Sequence, residues 1–227
     1  MEDAPPVPSN ERPPDSWFSM WVKAVIQPSF ATYQAISAHP NATAGQAYLW
    51  VAGATVAGYI IYAILAIPLQ SLSGMVMGAS AASSVTTAIS GSFGTILCGI
   101  PIGTVMSIGL FALGTFVTYK TAQASGGTSS HGALAYTFAS YASPIIFVIL
   151  AANALGPFGL CLSLPVSLYG MTLSIVAVRA VMGIGTGSAI AATVVRALAE
   201  GAVIGLIACG IITLLTLLGP ALLAGMR

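Results

Sequence analysis

The acidic residues are the first candidates for chemistry, and the sequence holds only five of them. Glu200 comes just before the last long apolar segment, and the other four lie in the N-terminal tail. Those four are Glu2, Asp3, Glu11 and Asp15. Acid–base and metal-assisted catalysis need paired carboxylates, or a carboxylate near a histidine. The spacing predicts that the bundle interior holds no carboxylate and that the protein is not an enzyme.

The histidines and cysteines do not suggest a ligand set. His39 and His131 are far apart, and each falls at a predicted helix end, where we expect a solvated interfacial side chain. The cysteines stand singly in separate apolar stretches, which favours buried small hydrophobic side chains over a disulfide framework or a metal site. They are Cys98, Cys161 and Cys209. We therefore expect no metal and no cofactor.

Composition indicates an integral membrane protein. Charged residues make up 5% of the chain and apolar residues 57%, whereas soluble domains carry about 25% charged residues. The formal net charge of +1 provides no basic field to attract nucleic acid. We expect an all-α, polytopic transmembrane helix bundle whose partners are membrane lipid and other transmembrane proteins or further copies of itself.

Five apolar segments approach the length of about 20 residues that crosses a bilayer. They are 47–69, 96–119, 133–155, 158–178 and 202–218, and an upstream extension of the last through 188–200 stays open. The flanking regions are a disordered Pro-rich acidic tail at 1–15, an interfacial amphipathic segment at 16–45, and a C-terminal tail at 220–227, around a membrane domain at 46–219. The Ser- and Gly-rich linker 71–95 is either a loop with some helix or a sixth membrane segment.

Local signals mark where several of these helices begin. Asp15 is suited to cap a first short helix, and Pro28 suits the first turn of a second. Thr43 and Gln46 fit a capping box ahead of the first span. The connection Gly156-Pro157 is so short that the third and fourth spans must form a tight antiparallel hairpin.

The positive residues predict the orientation in the membrane. With five spans and a cytoplasmic N-terminus, only Arg227 lies on the outer side. The positive residues on the cytoplasmic side are Arg12, Lys23, Lys120, Arg179 and Arg196. We therefore expect a cell (inner) membrane protein with its C-terminus outside. Lys120 and Arg179 fall at span ends, where long side chains reach the interface.

The polar stretch YTFASYASPIIF at 136–147 and several small residues indicate close helix packing. Pro144 frees the carbonyl of Ser140, and neighbouring hydroxyls such as that of Thr137 can satisfy it. Small residues spaced by four positions let helix backbones approach one another. These helix-packing candidates are Gly53, Ala54, Ala57, Gly58, Gly99 and Gly103.

The order of these features resembles the Yip family of Rab-GTPase-interacting membrane proteins. The motif residues are Tyr141, Ala142 and Pro144 at the third span, followed by the Gly-Pro turn and a Gly-rich break at 183–187. The resemblance implies a five-span bundle with a cytoplasmic N-terminus. Eukaryotic members act in vesicle trafficking with Rab-type GTPases. The N-terminal region here is short and looks like that of the prokaryotic members, so the GTPase role is not carried over.

These patterns favour a non-enzymatic membrane scaffold or accessory protein that acts through helix–helix association, such as a small subunit of a larger complex. The alternative is a small-solute channel or transporter. An ionisable side chain or a water-lined path inside the bundle would distinguish the alternative from the scaffold.

Overall fold

Seven α-helices make up nearly all of the structure, a computed structural model that describes residues 16–76, 89–90 and 93–225. The helices are α1 (Trp17–Ile26), α2 (Phe30–Ser37), α3 (Ala44–Val76), α4 (Ile100–Ala124), α5 (His131–Ala152), α6 (Pro157–Met182) and α7 (Thr186–Gly225). A short π-helix, Thr95–Gly99, leads into α4, and a single turn of 3₁₀-helix, Asn153–Leu155, follows α5. The predicted tail 1–15 and positions 77–88 and 91–92 of the linker 71–95 lie outside the described residues.

Five helices are long and apolar enough to cross a membrane, which confirms the predicted all-α membrane bundle. The candidate spans are Ala44–Leu69, Ile96–Ala124, His131–Leu155, Phe158–Met182 and Thr186–Gly210. The predicted fifth segment, 202–218, lies within α7. Because α7 is one continuous helix of 40 residues, the upstream run 188–200 belongs to it.

Hydroxyl side chains cap the first three helices. Ser16 accepts the backbone N–H of Ser19 at the start of α1, and Ser29 accepts that of Thr32 at the start of α2. Ser16 therefore caps α1 in the role predicted for Asp15, and Pro28 lies before the α2 cap instead of in its first turn. Thr43 caps α3 as predicted, because its hydroxyl accepts the N–H of Gln46 at 3.3 Å.

Helix α5 is the centre of the bundle. Every residue from 134 to 143 is buried, and α5 packs against α3, α6 and the short N-terminal helices. The hairpin from α5 to α6 forms as predicted, with Gly156 at a φ of 60°, a conformation that glycine adopts without strain.

The N-terminal helices lie against the outside of the bundle. The buried Tyr33 hydroxyl of α2 donates to the Ala24 carbonyl of α1 at 2.9 Å. Burial, with a smaller contribution from Tyr141, raises the pKa of Tyr33, so its phenol stays a neutral donor. Helix α1 also exposes large apolar side chains, as expected for an amphipathic helix in the membrane interface. They are Trp17, Phe18, Val22 and Ile26.

The predicted packing residues divide into inward and outward positions. A methyl group at Gly58 would lie 2.9 Å from Leu150 of α5, and one at Gly103 would collide with the ring of Tyr59 of α3. Ala54 is buried, whereas nothing lies within 4 Å of a methyl group at Gly53. Gly53 and Ala57 line an apolar groove of about 650 Å³, and Gly99 lines a smaller pocket beside Tyr59.

Substituting Gly58 should weaken the contact between α3 and α5. We expect Gly58→Ala to lower the free energy of unfolding by about 1–3 kcal/mol, because Leu150 must move to admit the methyl group. Gly53→Ala on the same helix is the matched control and should be neutral or slightly stabilising, since Gly53 has open space. Unfolding in mixed detergent micelles measures both, and equal values would contradict the packing described for Gly58.

The three cysteines lie on the outer face of the bundle. Cys98, Cys161 and Cys209 are free thiols and all are exposed. The expectation that they are buried was wrong, because isolated cysteines in apolar helices carry no signal for which face points inward.

Candidate functional site

An ion pair on α7 is the main departure from the sequence prediction. Arg196 Nε donates to Glu200 Oε1 at 2.7 Å, and only 16% of the Arg196 side chain and 26% of the Glu200 side chain are exposed. Both residues fall inside the candidate span Thr186–Gly210. The expectation of a bundle interior without a carboxylate was therefore wrong. Arg196 lies roughly 15 Å along α7 from its first residue.

The ion pair is held between three helices. The Arg196 guanidinium carbon lies 4.9 Å from the centre of the Phe138 ring of α5, within the range of a cation–π contact. On the α4 side the pair rests against Gly114, where a methyl group would collide with the Glu200 carboxylate and lie 2.7 Å from Arg196 Nε. Gly114 is therefore the position that lets the pair approach the backbone of α4.

Two hydroxyl side chains stand beside the ion pair. The buried Tyr141 hydroxyl of α5 and the buried Ser174 hydroxyl of α6 lie 2.7 Å apart. Tyr141 lines the same cavity as Arg196 and Glu200. Polar side chains of α6, α5 and α7 are thus brought together inside an apolar bundle, in the pairs Ser174–Tyr141 and Arg196–Glu200. Buried polar chains of this kind fix the positions of their members.

These polar groups line a cavity of about 330 Å³ between α4, α5, α6 and α7. We call it the ion-pair cavity. Its polar lining consists of Ser107, Tyr141, Ser167, Ser174, Thr193, Arg196 and Glu200. Ser167 and Ala197 are exposed lining residues, so the cavity opens to the surface between α6 and α7. Concave sites of this size with a few converging polar groups are typical small-molecule sites.

The guanidinium has hydrogen-bonding capacity left over. Arg196 Nη1 is buried and has no hydrogen-bond partner among the described residues. An arginine carries five N–H donors, and leaving a buried charged donor unpaired is costly. A molecule in the cavity that offers an acceptor to Nη1 would remove this cost.

The stretch 136–147 combines packing and site residues. Thr137 and Ser140 donate to the carbonyls of Ala133 and Thr137 within α5, so they bond earlier carbonyls and not the one freed by Pro144. Of the motif residues, Tyr141 and Ala142 line the ion-pair cavity. Pro144 lines the apolar groove instead.

The histidines lie at aromatic contacts. His39 stacks on Tyr136 with 6.0 Å between ring centres, and its Nδ1 accepts the N–H of Asn41. His131 meets the edge of the Tyr119 ring at 5.4 Å. In the part of the chain that the structure describes, no group of three or more His, Cys, Asp or Glu residues is arranged to hold a metal ion.

Sequence reasoning had one signal for the ion pair that it did not use. Arg196 and Glu200 are four residues apart, so they share a helix face, and Thr193 lies on the same face. The upstream extension through 188–200 had been left open, and the buried Ala189 and Ala192 show that this run continues the buried face of α7. Comparison with family models, curated proteins and solved structures found no match to this chain.

Proposed function

We propose that this chain is a non-enzymatic multi-pass membrane protein that binds a small polar ligand in the ion-pair cavity. This assignment favours a channel or transporter over a scaffold, because an ionisable side chain inside the bundle is the feature expected to distinguish the two classes. The observation that carries it is a charged pair within a membrane-length helix of a chain with 5% charged residues. Ionisable residues inside a membrane are costly and usually line a substrate or ion path.

The chemistry of the cavity supports binding over catalysis. The hydroxyl of Ser174 is paired with Tyr141, and Glu200 is paired with Arg196. A serine nucleophile requires a base within hydrogen-bond reach, and a carboxylate held by arginine is a weak base. The groups therefore present a fixed set of donors and acceptors, which suits recognition.

Water access to the cavity is the test of this proposal. In a background with all three native cysteines replaced by alanine, Ser107→Cys adds a thiol to the cavity lining, and Val105→Cys adds one to the outer face of the same helix. A charged methanethiosulfonate reagent should modify position 107 in liposomes at least about tenfold faster, because thiolates form only in contact with water. Equal, slow modification at both positions would mean a dry interior and a purely structural ion pair.

The scaffold role is a second candidate, favoured by the apolar groove beside α1. Gly53 is exposed at its surface, next to the 67% exposed Leu49. A small residue on an open face lets a helix of another transmembrane protein, or of a second copy, approach closely. Gly53→Leu should then weaken co-migration with that partner on native gels, and Gly109→Leu, which also has open space, should not.

The family and topology proposals agree with the charges. Lys120 and Arg179 lie near the ends of α4 and α6, at the same end of the bundle as the start of α5. We keep the cytoplasmic N-terminus on this ground, and the cell membrane stays part of the proposal. Membership of the Yip family, in its prokaryotic form, rests on the motif residues and remains a proposal.

A further inference from the structure

The charges in the ion-pair cavity favour one class of ligand. Its wall presents one positive group, Arg196, and one negative group, Glu200, in contact with each other. A purely anionic ligand would meet repulsion from Glu200, and a purely cationic one repulsion from Arg196. A ligand carrying both charges at short separation meets an opposite charge at each end, and complementary charges of this kind give specificity.

The hydrogen-bonding groups of the cavity also suit a ligand that carries both charges. Arg196 Nη1 has no partner among the described residues and can donate to a phosphate or carboxylate. A carboxylate has about four acceptor sites, so Glu200 can receive an ammonium N–H in addition to Arg196 Nε. Ser174 donates its hydroxyl to the Gly170 carbonyl at 3.0 Å, so it accepts from Tyr141, and both hydroxyl oxygens can accept a further hydrogen bond.

Helix α1 contacts α6 close to the cavity. Tyr169 of α6, next to the lining residue Gly170, donates its hydroxyl to the Val25 carbonyl of α1. Helix α1 is the amphipathic helix with exposed Trp17 and Phe18, and aromatic residues of this kind favour the membrane interface. Helix α1 therefore lies close to the part of α6 that lines the cavity.

From these observations we infer that the ion-pair cavity binds a zwitterion that pairs an ammonium group with a phosphate or a carboxylate. The anionic group contacts Arg196 and the ammonium contacts Glu200. This inference rests on the proposed ligand-binding function. Two kinds of molecule carry this pair of charged groups, the headgroup of an ethanolamine phospholipid and a free zwitterion of similar size. For a lipid, the opening beside Ser167 and Met171 leaves the chains outside the bundle.

Lipid preference and thiol protection test the inference. Native mass spectrometry of the full chain with phosphatidylethanolamine or phosphatidylglycerol should show a preference for the zwitterionic lipid of about tenfold, the effect of one modest charge contact. Glu200→Gln keeps the shape and an acceptor for Arg196 but removes the negative charge. It should reverse the preference in favour of phosphatidylglycerol. A wild-type chain that prefers phosphatidylglycerol, or a Glu200→Gln chain with unchanged preference, would exclude a lipid headgroup as the ligand, and it would overturn the inference if a soluble zwitterion also fails to bind.

Soluble O-phosphoethanolamine separates the two sources. If a free zwitterion is the ligand, this compound slows modification of Ser107→Cys in phosphatidylglycerol liposomes. If a lipid headgroup is the ligand, only phosphatidylethanolamine in the bilayer slows it. Protection by neither compound, with position 107 still reactive, would overturn the zwitterion inference and leave the ligand-binding proposal standing. An unreactive position 107 would instead overturn the ligand-binding proposal.

Discussion

Replacing Arg196 with methionine is expected to lower the free energy of unfolding by about 2–3 kcal/mol, because Glu200 is then left charged and unpaired inside the bundle. Fully buried pairs cost about 3–5 kcal/mol when one partner is removed, and the partial exposure of both side chains reduces the effect here. Unfolding in mixed detergent micelles measures the change. Lys120→Met is the control. Its exposed ammonium lies 5.7 Å from the Tyr119 ring, so the change should stay within about 1 kcal/mol.

The double variant Arg196→Met/Glu200→Leu separates stability from function. Apolar residues of similar volume replace buried ion pairs at little or no cost, so most of the lost stability should return. Ligand binding should not return, because both charges are gone. A double variant that is as unstable as Arg196→Met would show that the polar contacts with Tyr141 matter more than the unpaired charge.

Gly114→Ala is expected to reduce ligand binding by at least about tenfold, equivalent to about 1.4 kcal/mol. The methyl group would occupy the space of the Glu200 carboxylate, so the pair must shift away from α4 and toward the cavity. The cost in stability should be only about 1–2 kcal/mol, because the displaced atoms belong to side chains and not to the backbone. Native mass spectrometry with the preferred lipid measures the binding.

Gly109→Ala is the matched control on the same helix. Nothing lies within 4 Å of a methyl group at this position, so binding should be unchanged and the helix slightly more stable. If the two variants bind equally well, the ion pair does not depend on close contact with α4, and the described geometry of the pair is wrong.

The parts of the fold that could be predicted depend on local chemistry. Hydropathy located the apolar cores of four helices, the Gly156-Pro157 connection predicted the hairpin, and Thr43 predicted the start of α3. The cap of α1 was harder to predict, because Asp15 and Ser16 are both suitable caps and stand side by side. At α2 the prediction placed Pro28 in the first turn, whereas the helix begins two residues later, behind the Ser29 cap.

The candidate site could be predicted only in part. Tyr141 stood out as polar in an apolar segment, and the spacing of Arg196 and Glu200 placed them on one helix face. The role of Gly114 could not be found, because its contact joins two helices some 80 residues apart in sequence.

The measurement that tests the central claim most directly is a comparison of bound molecules after gentle purification from the membrane. Native mass spectra would be recorded for the wild-type chain and for Arg196→Met/Glu200→Leu, with equal folding verified by circular dichroism. If the ion-pair cavity is a ligand site, the wild-type chain should carry a discrete adduct that the double variant lacks. The same adducts in the same proportions on both chains would contradict it.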